Sequence, residues 1–301
     1  MPPSSANPLF ARIRDAAQRI ESIGAGNPRL EAEYLMAAAL GVPRIRLWLI
    51  DRPPAACELE AFEQLVARRL TREPLQYVLG TVEFAGLDLA VGPGVLIPRS
   101  ETEVLVERVE AALRARGGER GAAPMIVDVG TGSGAILLAL LRRFARARGI
   151  GIDARPEALA WARRNAERLA KSEAAGLPDL PGRIEFLLGD LLDALRPERV
   201  IDVVVTNPPY VRLDERDALA PEIRDHEPPE ALFAGEDGLD LIRRIIPQAS
   251  ARLRAGGLLA IEIGITQADA VRGLLAGGEW GAVEVCPDLA GRPRVVLAER
   301  A

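Results

Sequence analysis

From Met125 onward, short apolar runs of strand length alternate with longer segments of helical periodicity, and this alternation limits the possible folds more than any other feature. Strand-like runs lie at Met125–Val129, 149–152, Ile184–Leu188, 201–205 and 258–263, separated by helical stretches at 135–148, Pro156–Lys171 and 239–254. Runs that are apolar almost throughout suit strands buried on both faces, as in parallel sheets whose crossover helices cover each side. The pattern predicts an α/β doubly wound, Rossmann-like sheet. A helix near 266–276 and runs at 282–286 and 294–298 bring the expected count to seven strands, with the last pair antiparallel. The segment 172–183 is polar with two prolines and reads as a surface insertion.

Ahead of this region, residues 8–72 read as helices. Leu9, Ile13, Ala16, Ala17 and Ile20 recur at helical spacing, and Gly24 with Gly26 ends that segment. Leu30, Tyr34, Leu35 and Ala38 mark a second helix that stops at Gly41, with a third near 45–50 and a fourth over 55–71. The result is a small helical bundle without a catalytic constellation, suited to docking a substrate. Residues 73–99 change character: short alternating runs around Gly86 predict a β-hairpin linking two domains. Ser100 with Glu103 forms a capping-box pattern for a helix over 101–116. That helix ends in Gly117-Gly118, and the glycine-rich loop to Pro124 is expected to be mobile. The expected organisation is therefore a helical domain at 1–72, a hairpin linker at 73–99 and a catalytic domain at 100–301, in keeping with a chain of 301 residues.

Composition excludes several classes. A net charge of −5 speaks against a broad nucleic-acid surface, so direct nucleic-acid binding is not expected. Cys57 and Cys286 are far apart, which supports neither a disulfide framework nor a metal site. No apolar run approaches the roughly 18 residues that a membrane span needs. The N-terminus lacks a signal-peptide pattern, and the expected location is the cytoplasm, as a monomer.

Two stretches carry the chemistry. Asp128-Val129-Gly130-Thr131-Gly132-Ser133-Gly134 sits at a strand-to-helix turn, where glycines allow a ligand to approach the backbone and the helix start favours a negative group. Its G-x-G-x-G spacing differs from the dinucleotide fingerprint, and a plain tight turn is the bland alternative. Asp153 closes the second strand, where an acid can hold two ribose hydroxyls; a solvated strand-end carboxylate is its alternative. Gly189-Asp190 closes the third, placing Asp190 to accept from an adenine amino group and Leu191 to pack on the ring. The second stretch, Thr206-Asn207-Pro208-Pro209-Tyr210, ends the strand at 201–205. Its prolines fix φ and lack N–H groups, so the loop is stiff and offers an amide, carbonyls and an aromatic ring to a planar group bearing NH₂.

Together these features resemble the amino-methyltransferases that use S-adenosylmethionine. Arg72 through Gly80, Pro93 through Glu103, Glu227-Pro228 through Gly238-Leu239, Glu262-Ile263-Gly264 and Asp288-Leu289 are similar to the release factor glutamine methyltransferases, over nearly the whole chain. The resemblance implies N5-methylation of the glutamine in the Gly-Gly-Gln loop of peptide chain release factors, with no metal. It places Gly130, Thr131, Gly132, Ser133, Gly134, Asp153 and Asn207 at the cofactor, and Asn207, Pro208, Pro209 and Tyr210 at the glutamine, with Asn207, Pro208 and Tyr210 catalytic. Two departures stand out: Ser100 replaces the family's usual proline, and the 172–183 insertion lengthens the path to Asp190. Rival readings are an adenine N6-methyltransferase acting on a flipped base, and a non-catalytic S-adenosylmethionine-binding adaptor, which has no need of the Asn-Pro-Pro-Tyr loop. Arg99 is expected to pair with Glu101 or Glu103, or to line the substrate channel. His226 is expected to have no catalytic role, and Trp48, Trp161 and Trp280 are expected to be packing residues.

Overall fold

The structure is a computed structural model that describes residues 8–116, 123–196 and 200–301; the glycine-rich stretch at 117–122, expected to be mobile, lies outside the described residues. The chain forms two compact units, Met1–Thr81 with Ala220–His226, and Val82–Leu219 with Glu227–Ala301.

The first unit is built from helices α1 (Pro8–Glu21), α2 (Pro28–Ala39), α3 (Ala56–Leu70) and α4 (Leu75–Leu79). Leu9, Ile13 and Ile20 of α1 meet Leu35 and Met36 of α2 and Phe62 of α3, all fully buried. Each such side chain contributes roughly 1.5–3 kcal/mol of burial. Asn27 caps α2 by accepting from the Leu30 amide at 3.2 Å, with Pro28 at the first helical position. The stretch expected as a third helix is a 3₁₀ turn, Arg44–Leu49, in which only Leu47 is buried. Pro43 and Pro53 leave it too short for α-helical cooperativity. Trp48 stacks on Phe10 with ring centroids 4.7 Å apart. Helix α4 was not expected, because five residues carry no periodic signal. The buried Arg69 guanidinium pairs with Glu31 at 2.7 Å and with Glu222 at 3.0 Å, and Arg72 reaches Glu222 at 2.8 Å. These ion pairs fasten the short helix α8 (Pro221–Arg224) to this unit.

The second unit opens with a hairpin, β1 (Thr81–Phe84) and β2 (Leu87–Ala90). Ala85 and Gly86 both have positive φ, the sign that a two-residue type I′ turn requires. Phe84, Leu87 and Leu89 are buried in this unit's core. The elements β3 (Met125–Val129), α6 (Ala135–Arg143), β4 (Arg148–Asp153), α7 (Pro156–Lys171), β5 (Ile184–Leu188), β6 (Ile201–Thr206), α9 (Asp240–Arg252), β7 (Leu253–Glu262), α10 (Ala268–Leu274), β8 (Trp280–Pro287) and β9 (Pro293–Arg300) follow α5 (Glu103–Ala115). Among the described residues they form a seven-stranded sheet of order β5-β4-β3-β6-β7-β9-β8, parallel except that β9 runs antiparallel to both β7 and β8. Along β6, Val203 and Val205 enter one apolar layer with α5, α6 and α7, while Val204 enters the other with α9 and α10. That is the two-faced burial predicted by unbroken apolar strands.

Three local expectations are corrected. Helix α6 stops at Arg143 rather than 148, because Phe144 leaves helical geometry (φ −124°, ψ 90°) and turns into the core. Ser100 caps nothing: residues Ser100–Thr102 make a 3₁₀ turn, and the Glu103 carboxylate accepts from the Ala85 amide at 3.1 Å instead of capping α5. The 172–183 segment is not simply a surface insertion, since Ala175, Leu177 and Leu180 are buried in the core; their irregular spacing hides this in the sequence.

Candidate active site

β3 has β4 on one side and β6 on the other, so the chain's direction of travel across the sheet reverses there. In open α/β sheets ligands enter at such a switch point, beyond the strands' carboxyl ends. The parallel register sets Val129 opposite Thr206, and the Thr206 hydroxyl donates to the Val129 carbonyl at 2.7 Å. The loops beginning at Gly130 and Asn207 therefore leave the sheet side by side.

The Gly130 and Thr131 amides both donate to the Ile152 carbonyl, at 2.8 and 2.9 Å, folding the first loop over β4. Gly134, at φ +82°, leaves no room for a side chain: a Cβ there meets Leu138 at 3.1 Å and Ala162 at 3.4 Å. Its requirement for glycine comes from helix packing. Asp153 stabilises the same loop. Its Oδ2 accepts from the Gly132 amide at 2.9 Å and its Oδ1 from the Arg155 amide at 3.0 Å. Each oxygen keeps lone pairs for a ligand's hydroxyls. Burial pushes this carboxyl's pKa up, and the amides and Arg155 oppose the shift. Asp128 lies fully buried beneath the loop, where it accepts from the Thr131 hydroxyl at 2.7 Å while Oδ1 has no partner. Burial raises its pKa to about 7.

A cavity of about 280 Å³ opens between these loops. Gly130, Thr131, Gly132, Ser133, Asp153, Asp190, Leu191, Asn207, Pro209 and Arg99 all line it. Asp128, Gly134, Pro208 and Tyr210 are not part of its wall, nor is His226. Asp190 is exposed and pairs with Arg244 at 2.5 Å. Leu191 has φ +52° and packs on the apolar layer of α9. The strap 92–99 adds Gly94, Val95, Leu96, Pro98 and Arg99 to the cavity wall. Arg155 donates to the Gly94 carbonyl, and the Trp161 indole N–H to the Pro93 carbonyl at 3.2 Å. Arg99 does not pair with Glu101 or Glu103. Its partner is Glu227, a buried carboxylate that also accepts from the Ile97 amide at 3.3 Å. A separation of 128 residues gave the sequence reading no means of finding that pair.

At the second loop, the Asn207 Nδ2–H donates to the Thr102 hydroxyl at 3.2 Å, leaving Oδ1 as the acceptor available to a ligand. The Tyr210 hydroxyl donates to Glu262 Oε1 at 3.3 Å, and its carbonyl accepts from Gln267 Nε2 at 3.1 Å. Burial and the neighbouring Glu262 push the phenol's pKa up, so it remains a neutral donor. Thr102, Glu227 and Glu262 lie in stretches that carry the family resemblance, yet the sequence assigns them no role; Gln267 and Asn165 lie outside any motif. Asn165 is a polar residue on the apolar face of α7, where it binds Ala90 and the Ser133 carbonyl. Among the described residues no acidic, His or Cys group is arranged to hold a metal ion.

This sheet order, with a cavity walled by the glycine loop, a strand-end acid and the Asn-Pro-Pro-Tyr loop, defines an S-adenosylmethionine-dependent methyltransferase, and residues 126–229 match the methyltransferase domain family. Residues 12–80 match the PrmC N-terminal domain family. The chain is 44% identical over 254 residues to the release factor glutamine methyltransferase of Geobacter sulfurreducens, covering 84% of this chain and 83% of that one. It is 40% identical over 297 residues to the release factor glutamine methyltransferase of Streptomyces coelicolor, covering 98% and 99%. The chain belongs to the release factor glutamine methyltransferase family. Its fold is shared with the Thermus thermophilus 16S rRNA N2 G1207 methyltransferase, solved with AdoMet and guanosine, at a TM-score of 0.50 and 22% identity over 73% of this chain and 50% of that one.

Proposed function

We infer that the protein transfers a methyl group from S-adenosylmethionine to the side-chain amide N5 of the glutamine in the Gly-Gly-Gln motif of peptide chain release factors. The observation that carries this reading is the Val129–Thr206 register, which sets the glycine loop beside the Asn-Pro-Pro-Tyr loop. The cavity fits the cofactor: Gly130 and Gly132 present backbone at its wall, and Asp153 retains acceptor capacity for ribose hydroxyls. Asp190 and Leu191 face the adenine in this assignment. S-adenosylmethionine supplies an electrophilic methyl on a sulfonium that is its own leaving group.

The amide nitrogen is a poor nucleophile, because its lone pair is delocalised into the carbonyl. Acceptance of its N–H protons by Asn207 Oδ1 and the Pro208 carbonyl favours pyramidal nitrogen as positive charge develops, and one of those protons then leaves to solvent. Preorganised dipoles of this kind act on the transition state, and no strong base is needed. In this assignment Pro209, at the cavity wall, and Tyr210, outside it, bound the planar group, and Arg99, held by Glu227 and lining the cavity, faces the substrate. The helical unit holds the body of the release factor. It carries no catalytic group, and it exposes Ile45 (77%) and Leu49 (80%) beside the half-exposed Trp48. The reading takes the protein to act as a cytoplasmic monomer without nucleic acid. Among the described residues no helix is long and apolar enough to cross a membrane.

The test incubates the protein and methyl-labelled cofactor with purified release factor or with DNA and RNA, and locates the label by mass spectrometry. Label on the Gly-Gly-Gln glutamine is expected. Label on adenine, with none on the factor, overturns the assignment.

A further inference from the structure

Beneath the Asn-Pro-Pro-Tyr loop lies a chain of polar groups whose connections no sequence motif announces. Glu262 closes β7 and is fully buried. Its Oε1 accepts from the Tyr210 hydroxyl at 3.3 Å, and the Thr102 side chain acts on the same carboxyl group through hydrogen bonding that opposes the effect of burial. Thr102 in turn receives the Asn207 Nδ2–H at 3.2 Å. Glu262 Oε2 is buried without a partner, and Arg294 lies close enough to act on the group electrostatically.

The direction of this chain matters. A threonine hydroxyl has a single proton. If Glu262 takes that proton, Thr102 can only accept from Asn207, and the Asn207 amide must turn its NH₂ toward Thr102. Its carbonyl oxygen then faces the cavity, where the incoming N–H groups need an acceptor. If Glu262 cannot accept, the Thr102 proton is free to bond Asn207 Oδ1. The flipped amide then costs little and presents donors to a substrate that also brings donors. We propose that Glu262 is a positioning residue for methyl transfer, acting through Thr102 to fix which end of the Asn207 amide faces the substrate and through the Tyr210 hydroxyl to hold the ring. The proposal rests on the assignment of Asn207 as the amide acceptor. The role requires only one accepting oxygen on the Glu262 side chain, so protonation at the unpartnered Oε2 leaves it intact.

Two variants separate positioning from bulk. Glu262→Met keeps the side chain's length and removes the acceptor; Glu262→Gln keeps Oε1 and puts an NH₂ where Oε2 stands. Glu262→Met should lower kcat on release factor by about 10- to 100-fold, the scale of a misplaced reacting group. The Kd for S-adenosylhomocysteine should stay close to wild type, and Glu262→Gln should restore most of the lost rate. Thr102→Val breaks the same chain, so Thr102→Val/Glu262→Met should be no slower than the worse single variant. The Asn207 side-chain amide resonances, assigned with Asn207→Ser, should shift in Glu262→Met and return in Glu262→Gln. An unmoved Asn207 amide in Glu262→Met, or losses that multiply in the double variant, overturns the proposal. A wild-type protein that does not methylate release factor overturns the functional reading instead, and the amide resonances still decide the role of Glu262.

Discussion

Asp153 accepts the Gly132 amide at 2.9 Å through one oxygen and the Arg155 amide at 3.0 Å through the other, so one carboxylate both shapes the glycine loop and faces the cavity. Asp153→Ala therefore removes the acceptor proposed for the ribose and a brace of the glycine loop. A charge-assisted hydrogen bond is worth roughly 1.5–3 kcal/mol, so affinity for S-adenosylhomocysteine should fall by about 10- to 100-fold. Calorimetry with the purified variant measures this directly. An unchanged dissociation constant places the ribose elsewhere.

Asn207→Ala should show the opposite separation. In the proposed role its contribution comes as charge develops on the substrate nitrogen, so the rate at saturating substrate should fall on the order of 10²–10³-fold. The Thr102 hydroxyl loses only a donor, and cofactor affinity should hold. Near-wild-type turnover would refute the role assigned to this side chain.

The relation of sequence to structure differs between these two residues. Asp153 and Asn207 were both legible because each ends an apolar strand, and the punctuation that marks a strand end also marks the ligand edge of a parallel sheet. Helix Pro156–Lys171 and strands Met125–Val129 and Ile184–Leu188 emerged with the expected bounds for the same reason. The supports of the site were hidden. Arg99 finds Glu227 and Asn207 finds Thr102 across more than 100 residues of chain, and no local pattern encodes such pairings. Where a local pattern did exist, as at Ser100 and Glu103, tertiary demand overrode it: the Ala85 amide in the hairpin turn claims the Glu103 carboxylate.

Burial of Asp128 makes a statement about stability. Its carboxyl titrates near 3.8 in the unfolded chain and near 7 in the folded protein. Between those values the folded state binds the extra proton, so stability falls as pH rises through the window. Asp128→Asn keeps an acceptor for the Thr131 hydroxyl, puts an NH₂ at the unpartnered oxygen and removes the titration. The variant should melt higher than wild type at about pH 8, with the gap narrowing toward about pH 4. Glu262, also raised to about 7 by burial, leaves a residual slope of the same sign in both proteins. Cofactor-free melting curves against pH provide the measurement, and a gap that widens on acidification would sink the argument.

The last prediction concerns the helical unit. A glutamine side chain offers the Asn-Pro-Pro-Tyr loop only a small polar group, and the entropy of fixing it must be offset by contacts elsewhere. A protein substrate can supply those contacts at a remote surface, and remote binding energy can raise the rate of the chemical step. Truncation before residue 73 is a poor test, because it strips Arg69 and Arg72 from Glu222 and leaves that carboxylate without its partners. Substitution within the intact chain is cleaner. Ile45 and Leu49 are 77% and 80% exposed on the turn between α2 and α3, so Ile45→Ser/Leu49→Ser should leave folding nearly unchanged. The double variant should methylate intact release factor with kcat/KM reduced by about tenfold, the equivalent of roughly 1.4 kcal/mol of lost contact. Its activity on a short Gly-Gly-Gln peptide, low in both proteins, and its cofactor affinity should not change. Equal loss on peptide and intact factor would point to damage at the active site, and no loss on either would remove this face from the docking surface.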